Sequence, residues 1–211
     1  MKKAKKGPKS KKLRILAAAD IHGRSGIAKK LASKAARENI DLVILCGDIT
    51  GFAETKNIIR PFKDKKKKVL ILPGNWDSFA TTDFLASFYG VRNIHGYSVK
   101  YENVGFFGAG GAEDAPGPSR VTEEQMISTL KKAHSELKGI EKKVMITHMH
   151  PSKSKSEFSG IPGSKAITKA IKKFKPNILI HGHIHEGAGI EEKIGKTRIV
   201  NVGRNGKIIE I

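Results

Sequence analysis

Cysteine is nearly missing from this chain: Cys46 is the single thiol in 211 residues. One thiol excludes an intramolecular disulfide and fits a reducing compartment. Its place in the apolar run Leu42-Val-Ile-Leu-Cys46 makes it a packed core residue. Long apolar runs are missing as well, and none approaches the ~18 residues that a membrane span needs. No apolar h-region of a signal peptide opens the chain, which predicts a cytoplasmic protein. Aromatic residues make up only 6% and do not interleave with the basic runs, so no stacking platform for a single strand is visible. No internal repeat is apparent.

Acidic residues are also scarce, at 20 Asp+Glu against 40 Lys+Arg, for a formal net charge of +20. Seven lysines (Lys2, Lys3, Lys5, Lys6, Lys9, Lys11 and Lys12) fall in the first twelve residues, around Gly7-Pro8. That segment has almost nothing to bury and is predicted to be a disordered tail, leaving one domain over 13–211. The basic surface would draw polyanions, so nucleic acid is a candidate partner; a Lys-rich solvated surface explains the same composition. Oligomeric state does not follow from the sequence.

What is present is a series of short apolar runs, each ending in polar residues. Leu13 to Ala19 leads into Asp20-Ile21-His22-Gly23. Asp41 to Cys46 leads into Gly47-Asp48, and Val69 to Leu72 into Pro73-Gly74-Asn75-Trp76-Asp77. Helical spacing over 25–38, a helix around Glu54 to Phe62 and another near Thr81 to Phe88 separate or follow these runs. Strand–helix units in series predict parallel strands with right-handed crossovers. Further on, Tyr97–Tyr101 and Val104–Phe107 read as a hairpin turning at Glu102-Asn103. Thr122 and Gln125 form a capping box, Val144–Thr147 ends in His148, and Ser164 caps a helix. Segments 108–119 and 151–163 read as loops. The last segments, 189–193, 197–202 and 207–211, are predicted to form a meander.

The run Asn177-Ile-Leu-Ile-His181 discharges into Gly182-His183-Ile184-His185. In an extended backbone side chains alternate with period two, which would aim His183 and His185 the same way. Five apolar runs thus end in Asp20 and His22, Asp48, Asn75, His148, and His183 and His185. Sites assemble at the carboxyl ends of strands in open α/β sheets. Each dipeptide alone is an ordinary turn signal, but five in this arrangement are not explained as turns. Mixed N/O donors suit Mn, Fe, Zn or Ni, and Cys46 is not placed to compete as a thiolate.

These residues resemble the calcineurin-like metallophosphoesterases. That signature runs Asp-x-His, Gly-Asp, Gly-Asn-His, a lone His and Gly-His-x-His, matched here from Asp20 to His185 with Trp76 where His is usual. The resemblance covers essentially Leu13 to Ile211 and is closest to small single-domain bacterial and archaeal members. It implies an α/β fold, a four-layer αββα sandwich of two mixed sheets flanked by helices. It also implies two divalent metal ions, Mn foremost and Fe, Zn or Ni as alternatives. Asp20, His22, Asp48 and His185 would hold one ion; Asp48, Asn75, His148 and His183 would hold the other, with Asp48 bridging. The implied reaction is hydrolysis of a phosphoester by a metal-bridging hydroxide, which makes Asp48 part of the catalytic set and Asn75 a contact to substrate.

Two departures bear on activity. Gly51 stands where many relatives carry a second Asp. Trp76 replaces a His that in much of the family lies near the leaving group, and an indole cannot deliver a proton; members with that His substituted favour phosphodiesters over monoesters. His150 is the candidate substitute proton donor, and Arg24 a candidate contact to the substrate phosphate, although each reads equally as a loop or surface residue. His181 is expected to be packed or hydrogen-bonded within its strand. Asp77 is expected to accept from a ligand His or to cap the next helix. Two other functions share the fold: a metal-dependent nuclease, favoured by the basic surface, and an interaction scaffold whose ligands have decayed.

Overall fold

Strands made of Val, Ile and Leu without alternation must be covered on both faces, and the segment Leu42–Cys46 is buried at every position. The computed structural model describes residues 12–51, 57–113 and 115–211. The predicted tail, apart from Lys12, and the start of the helix predicted around Glu54 lie outside the described residues.

One sheet contains β1 (Arg14–Ala18), β2 (Leu42–Cys46), β3 (Lys68–Leu72), β4 (Arg92–Asn93) and β11 (Lys207–Glu210), in the order β11-β1-β2-β3-β4. The first four run parallel, as the strand–helix series predicts, and β11 runs antiparallel against β1. The second sheet contains β5 (Ser98–Tyr101), β6 (Val104–Ala109), β7 (Lys142–Thr147), β8 (Ile178–His181), β9 (Glu191–Ile194) and β10 (Thr197–Asn201), in the order β5-β6-β7-β8-β10-β9. The expected hairpin is β5–β6. The predicted terminal meander is corrected: β9 and β10 pair, but β11 leaves them and closes the edge of the other sheet.

Three apolar layers hold these sheets together. Ile15, Ile44, Leu72, Phe106, Ile146 and Ile180 interdigitate between the sheets. Helices α1 (Ser25–Arg37), α2 (Arg60–Asp64) and α3 (Phe79–Tyr89) cover the first sheet through Leu31, Phe62 and Leu85. Helices α4 (Glu123–Ser135) and α5 (Lys165–Phe174) cover the second through Leu130, Ile167 and Ile171. The result is the αββα sandwich, with each such side chain contributing about 1.5–3 kcal/mol by burial. The caps follow the sequence: Thr122 and Gln125 form a complete capping box, and Ser164 accepts from the backbone of Ile167. Among the described residues, no helix is long and apolar enough to cross a membrane.

Because both sheets carry parallel central strands, the carboxyl ends of β1, β2, β3, β7 and β8 open on one edge of the sandwich. The loops leaving them are stitched together by backbone bonds: His22 N–H donates to Asp48 O at 2.8 Å, and Gly182 N–H to His148 O at 3.0 Å.

Candidate metal centre

The loops at this edge are tight and strained. Asp20, His22, Asp48 and His183 all hold positive φ, between 47° and 71°. Non-glycine residues there cost on the order of 1–3 kcal/mol each and persist where the surroundings over-determine them, often at functional sites. Gly74 lies so close to Asp48 that an added Cβ would sit 2.0 Å from Oδ1. The glycine is what lets the third loop lie against the second carboxylate.

Asp77 joins these two loops. Buried completely, its carboxylate accepts from the backbone N–H of Ile49, Thr50 and Gly74 and from the Thr50 hydroxyl. Neither reading made from the sequence holds: Asp77 takes no hydrogen bond from a ligand histidine, and Ser78 caps α3.

The side chains converge on two adjacent groups. Donor atoms of Asp20, His22 and His185 lie within 4.8 Å of one another, as do those of Asp20, Asp48 and His148. His22 Nε2 faces His185 Nε2 at 3.3 Å, and His148 Nε2 faces His183 Nδ1 at 3.2 Å and Asn75 Oδ1 at 3.0 Å. Asp48 Oδ2 stands between the groups, 3.7 Å from His22 Nε2 and 3.5 Å from His148 Nε2. The geometric overlap also involves Asp20, which belongs to both groups.

His183 and His185 do not alternate along a strand as expected. Strand β8 ends at His181, positive φ at His183 turns the chain, and His185 starts a 3₁₀ turn. They therefore reach different groups, His183 beside His148 and His185 beside His22 and Asp20.

Other contacts aim the donors. His148 Nδ1 lies 2.9 Å from Cys46 O, so Nδ1 carries the proton and Nε2 points into the cluster. Asn75 Nδ2 donates to Pro116 O at 2.7 Å, leaving Oδ1 turned toward His148. The Cys46 thiol is buried, and that burial raises it well above its ordinary value, so it supplies no thiolate here.

Burial dominates His183 and lowers it to about 3, aided by the neighbouring His148. Burial also lowers His22, against the pull of Asp48 and Asp20. Both imidazoles are thus neutral with a free lone pair. Burial would lower His148 too, but Asp48 and Asp20 overcome it and raise the group to about 9; in turn, burial would raise Asp48, but His148, the Trp76 N–H and His22 together lower it to about 2. Asp20 Oδ2 is buried without a hydrogen-bond partner. Facing imidazole nitrogens, an orphaned carboxylate oxygen and a neutral amide oxygen are a donor set that a divalent cation satisfies.

Other residues singled out in the sequence lie apart. His150 is fully buried, its Nε2 3.2 Å from Ile161 O and its ring stacked 6.3 Å from that of His183. His181 is buried with Nδ1 3.0 Å from Gly182 O, inside the strand end as expected. Arg24 is exposed at the start of α1 and makes no side-chain cap. A cavity of about 460 Å³ between α1 and α2 shares no residue with the cluster.

A sequence model of the calcineurin-like phosphoesterase superfamily domain matches residues 13–208. The chain belongs to this superfamily. Its members are metal-dependent phosphoesterases, and the matched span contains every residue of the cluster. Solved phosphoesterase-fold structures agree in architecture. The protein TT1561 of Thermus thermophilus superimposes with a TM-score of 0.75 at 18% identity, covering 95% of this chain and 99% of that one. A dimetal phosphatase from Danio rerio gives 0.62 at 13% identity over 91% and 88%. An archaeal phosphodiesterase gives 0.54 at 16% identity over 94% and 99%. No curated protein matches.

The residues singled out in the sequence at the strand ends come together here, but the groups that aim them were not read from it. Pro116 and the Cys46 carbonyl lie 41 and 102 residues from their partners, and no local signal marks such contacts.

Proposed function

We propose that this protein is a dinuclear metal-dependent phosphoesterase that hydrolyses phosphodiesters in preference to monoesters. The observation that carries it is the two pairs of facing imidazoles beside the unpartnered Oδ2 of buried Asp20. Asp20, His22, Asp48 and His185 would hold one ion, and Asp48, Asn75, His148 and His183 the other. Manganese is the first choice, with Fe, Zn and Ni compatible with the same donors. When bound, two such ions would supply Lewis acidity toward phosphate oxygens and toward the attacking water.

The chain's own residues hold and orient. Asp48 reaches toward both donor groups, and its position depends on Gly74 and Asp77. Hydrolysis adds a water oxygen to phosphorus, breaks the P–O ester bond and leaves an alkoxide that must gain a proton. Trp76 cannot give one. His150, the donor expected from the sequence, is buried behind His183, and we assign it a positioning role instead. The leaving oxygen is then protonated from solvent, so esters with stabilised leaving groups react fastest. Within this fold, a dimetal phosphatase and a phosphodiesterase are both known, which is compatible with the two-metal and diester readings. A scaffold with decayed ligands is disfavoured, because all seven donor residues are retained.

The test is hydrolysis of a chromogenic phosphodiester beside its monoester by chelated protein with and without Mn²⁺. Diester cleavage that needs Mn²⁺ and vanishes in Asp48→Asn supports the reading. Equal or faster monoester cleavage overturns the diester preference, and inactivity with every divalent metal overturns the enzyme.

A further inference from the structure

Two cavities meet the donor cluster at different members. The wider, about 880 Å³, reaches it at His22 and is walled by Trp76, Pro116 and Pro118. The narrower, about 200 Å³, reaches it at His183 and is walled by Ala115, Pro116, Met149, Ile161 and Pro162. Pro116 lines both and so stands between them. Sites for whole small-molecule ligands span roughly 300–1,000 Å³. The wide cavity falls inside that range, and the narrow one holds only a compact group.

Their chemistry is as informative as their size. Among the described residues, neither cavity is lined by a lysine or arginine, on a chain with a net charge of +20. A site for a polynucleotide, or for an arm carrying further phosphates, would recruit cations to neutralise them. Among the described residues, the one charged side chain lining either cavity is Glu113, in the narrow one. The wide cavity pairs an indole and two proline rings with the hydroxyl-bearing Thr50, Ser78 and Thr81. The turn carrying those prolines is seated on the indole's own loop: a Cβ on Gly117 would lie 2.1 Å from Asn75 O. Ring and turn are therefore held as one wall.

Resting on the phosphodiesterase reading above, we propose that the substrate is a diester with two uncharged arms of unequal size. A planar ring system lies against Trp76 and the Pro116–Pro118 turn, and a compact apolar arm enters the cavity beside Ile161. A phosphomonoester leaves one of these cavities empty. A nucleic-acid strand finds no described lysine or arginine in these walls where its next phosphates would fall.

Trp76 is the only tryptophan, so its fluorescence reports occupancy of the wide cavity without requiring turnover. Mn²⁺-loaded protein is titrated with adenosine 5′-monophosphate, with ribose 5-phosphate and with an eight-residue oligodeoxyadenylate. The nucleotide is expected to quench saturably and to bind about tenfold or more tighter than the sugar phosphate, the scale of one base stacked on an aromatic ring. That difference should vanish in Trp76→Leu. Equal affinity for the two, or an oligonucleotide that binds tighter than the mononucleotide with steep salt dependence, overturns the proposal. For the second arm, methyl and phenyl diesters of 4-nitrophenol are compared in wild type and Ile161→Ala, a change at a residue 45% exposed. The methyl-to-phenyl ratio in kcat/KM should fall about tenfold in the variant. Diester hydrolysis with an unchanged ratio sinks the narrow-cavity assignment alone, whereas no hydrolysis of either diester sinks the phosphodiesterase reading.

Discussion

The Asp77 carboxylate accepts hydrogen bonds from both the backbone N–H and the hydroxyl of Thr50, at 2.8 and 2.7 Å, in a place with no exposure to water. The same carboxylate takes the N–H groups of Ile49 and Gly74, so one side chain fixes the loop of Asp48 against the loop of Asn75.

Replacing Asp77 with Asn turns one acceptor oxygen into a donor that meets other donors. Hydrogen bonds to a charged group contribute about 1.5–3 kcal/mol, and a buried unsatisfied donor adds its own desolvation cost. Asp77→Asn should therefore lose roughly 3 kcal/mol or more in urea denaturation. It should also weaken Mn²⁺ uptake measured by calorimetry, although Asp77 is not among the donors. Unchanged uptake in a destabilised variant would confine Asp77 to folding.

Metal uptake should release a proton. In the metal-free protein, the carboxylates raise His148 to about 9 against the effect of burial, so its Nε2 is protonated at neutral pH. A cation at that nitrogen displaces the proton. Apparent Mn²⁺ affinity should climb with pH up to about 9, and calorimetry in two buffers of different ionisation enthalpy should reveal the release. Stability of the metal-free protein moves the other way. The raised His148 contributes fully below its ordinary 6.5, and that contribution is lost as pH rises through 9. The depressed Asp48 contributes above 3.8 and is lost as pH falls through about 2. A pH-independent affinity would remove His148 from the donor set.

Much of this was legible in the chain, for a physical reason. Strands buried on both faces leave uninterrupted apolar runs, and donors at their ends stand out against them, as Asp48 does after Leu42–Cys46. What was hidden depends on contacts far apart in sequence or on backbone shape. The fate of Lys207–Glu210 was misread because alternation in a strand says nothing about which sheet it joins. His183 and His185 were assigned one face because period two holds only while the backbone stays extended, and positive φ at His183 ends that.

Glu191 ties β9 to its neighbour β10 through Arg198 at 2.7 Å, and to β11 of the other sheet through Lys207 at 2.5 Å. Its hydrogen bond from Arg198, helped by Lys207 and opposed by its partial burial, lowers it to about 2. The contribution is present above its ordinary 4.5 and fades as pH drops through about 2. The pair is partly solvated, so Glu191→Gln should cost no more than about 1 kcal/mol at pH 7. The variant and wild type should converge in stability near pH 2, as read by thermal melts across that range.

Gly74→Ala tests the close approach directly. The new Cβ would lie 2.0 Å from Asp48 Oδ1 and 2.3 Å from its backbone nitrogen, so the carboxylate must move. Bound metal, measured by elemental analysis after dialysis, should fall sharply, with stability down by roughly 3 kcal/mol. Gly26→Ala is the control: nothing lies within 4 Å of its added Cβ, and it sits in α1, so it should be neutral or stabilising. Equal metal content in the two variants would mean that Asp48 is not held by this contact.

Trp76→His asks whether the indole sets the preference between diester and monoester. Trp76 lines the wide cavity, and its backbone N–H donates to Asp48 Oδ1 at 2.9 Å, so the loop does not depend on the side chain for that bond. An imidazole there could hand a proton to the leaving oxygen, a role worth about 10²–10⁴ in rate where it operates. The gain should be large for alkyl leaving groups, which need the proton. It should be small for 4-nitrophenol, which leaves as a stable anion. The same change replaces the indole with a smaller ring that covers less of the wall, so binding of adenosine 5′-monophosphate should weaken while the alkyl-ester rate rises. Opposite movements of affinity and rate separate the two roles of position 76. A variant that loses both, or gains rate equally for both leaving groups, would show that the histidine is not acting as an acid.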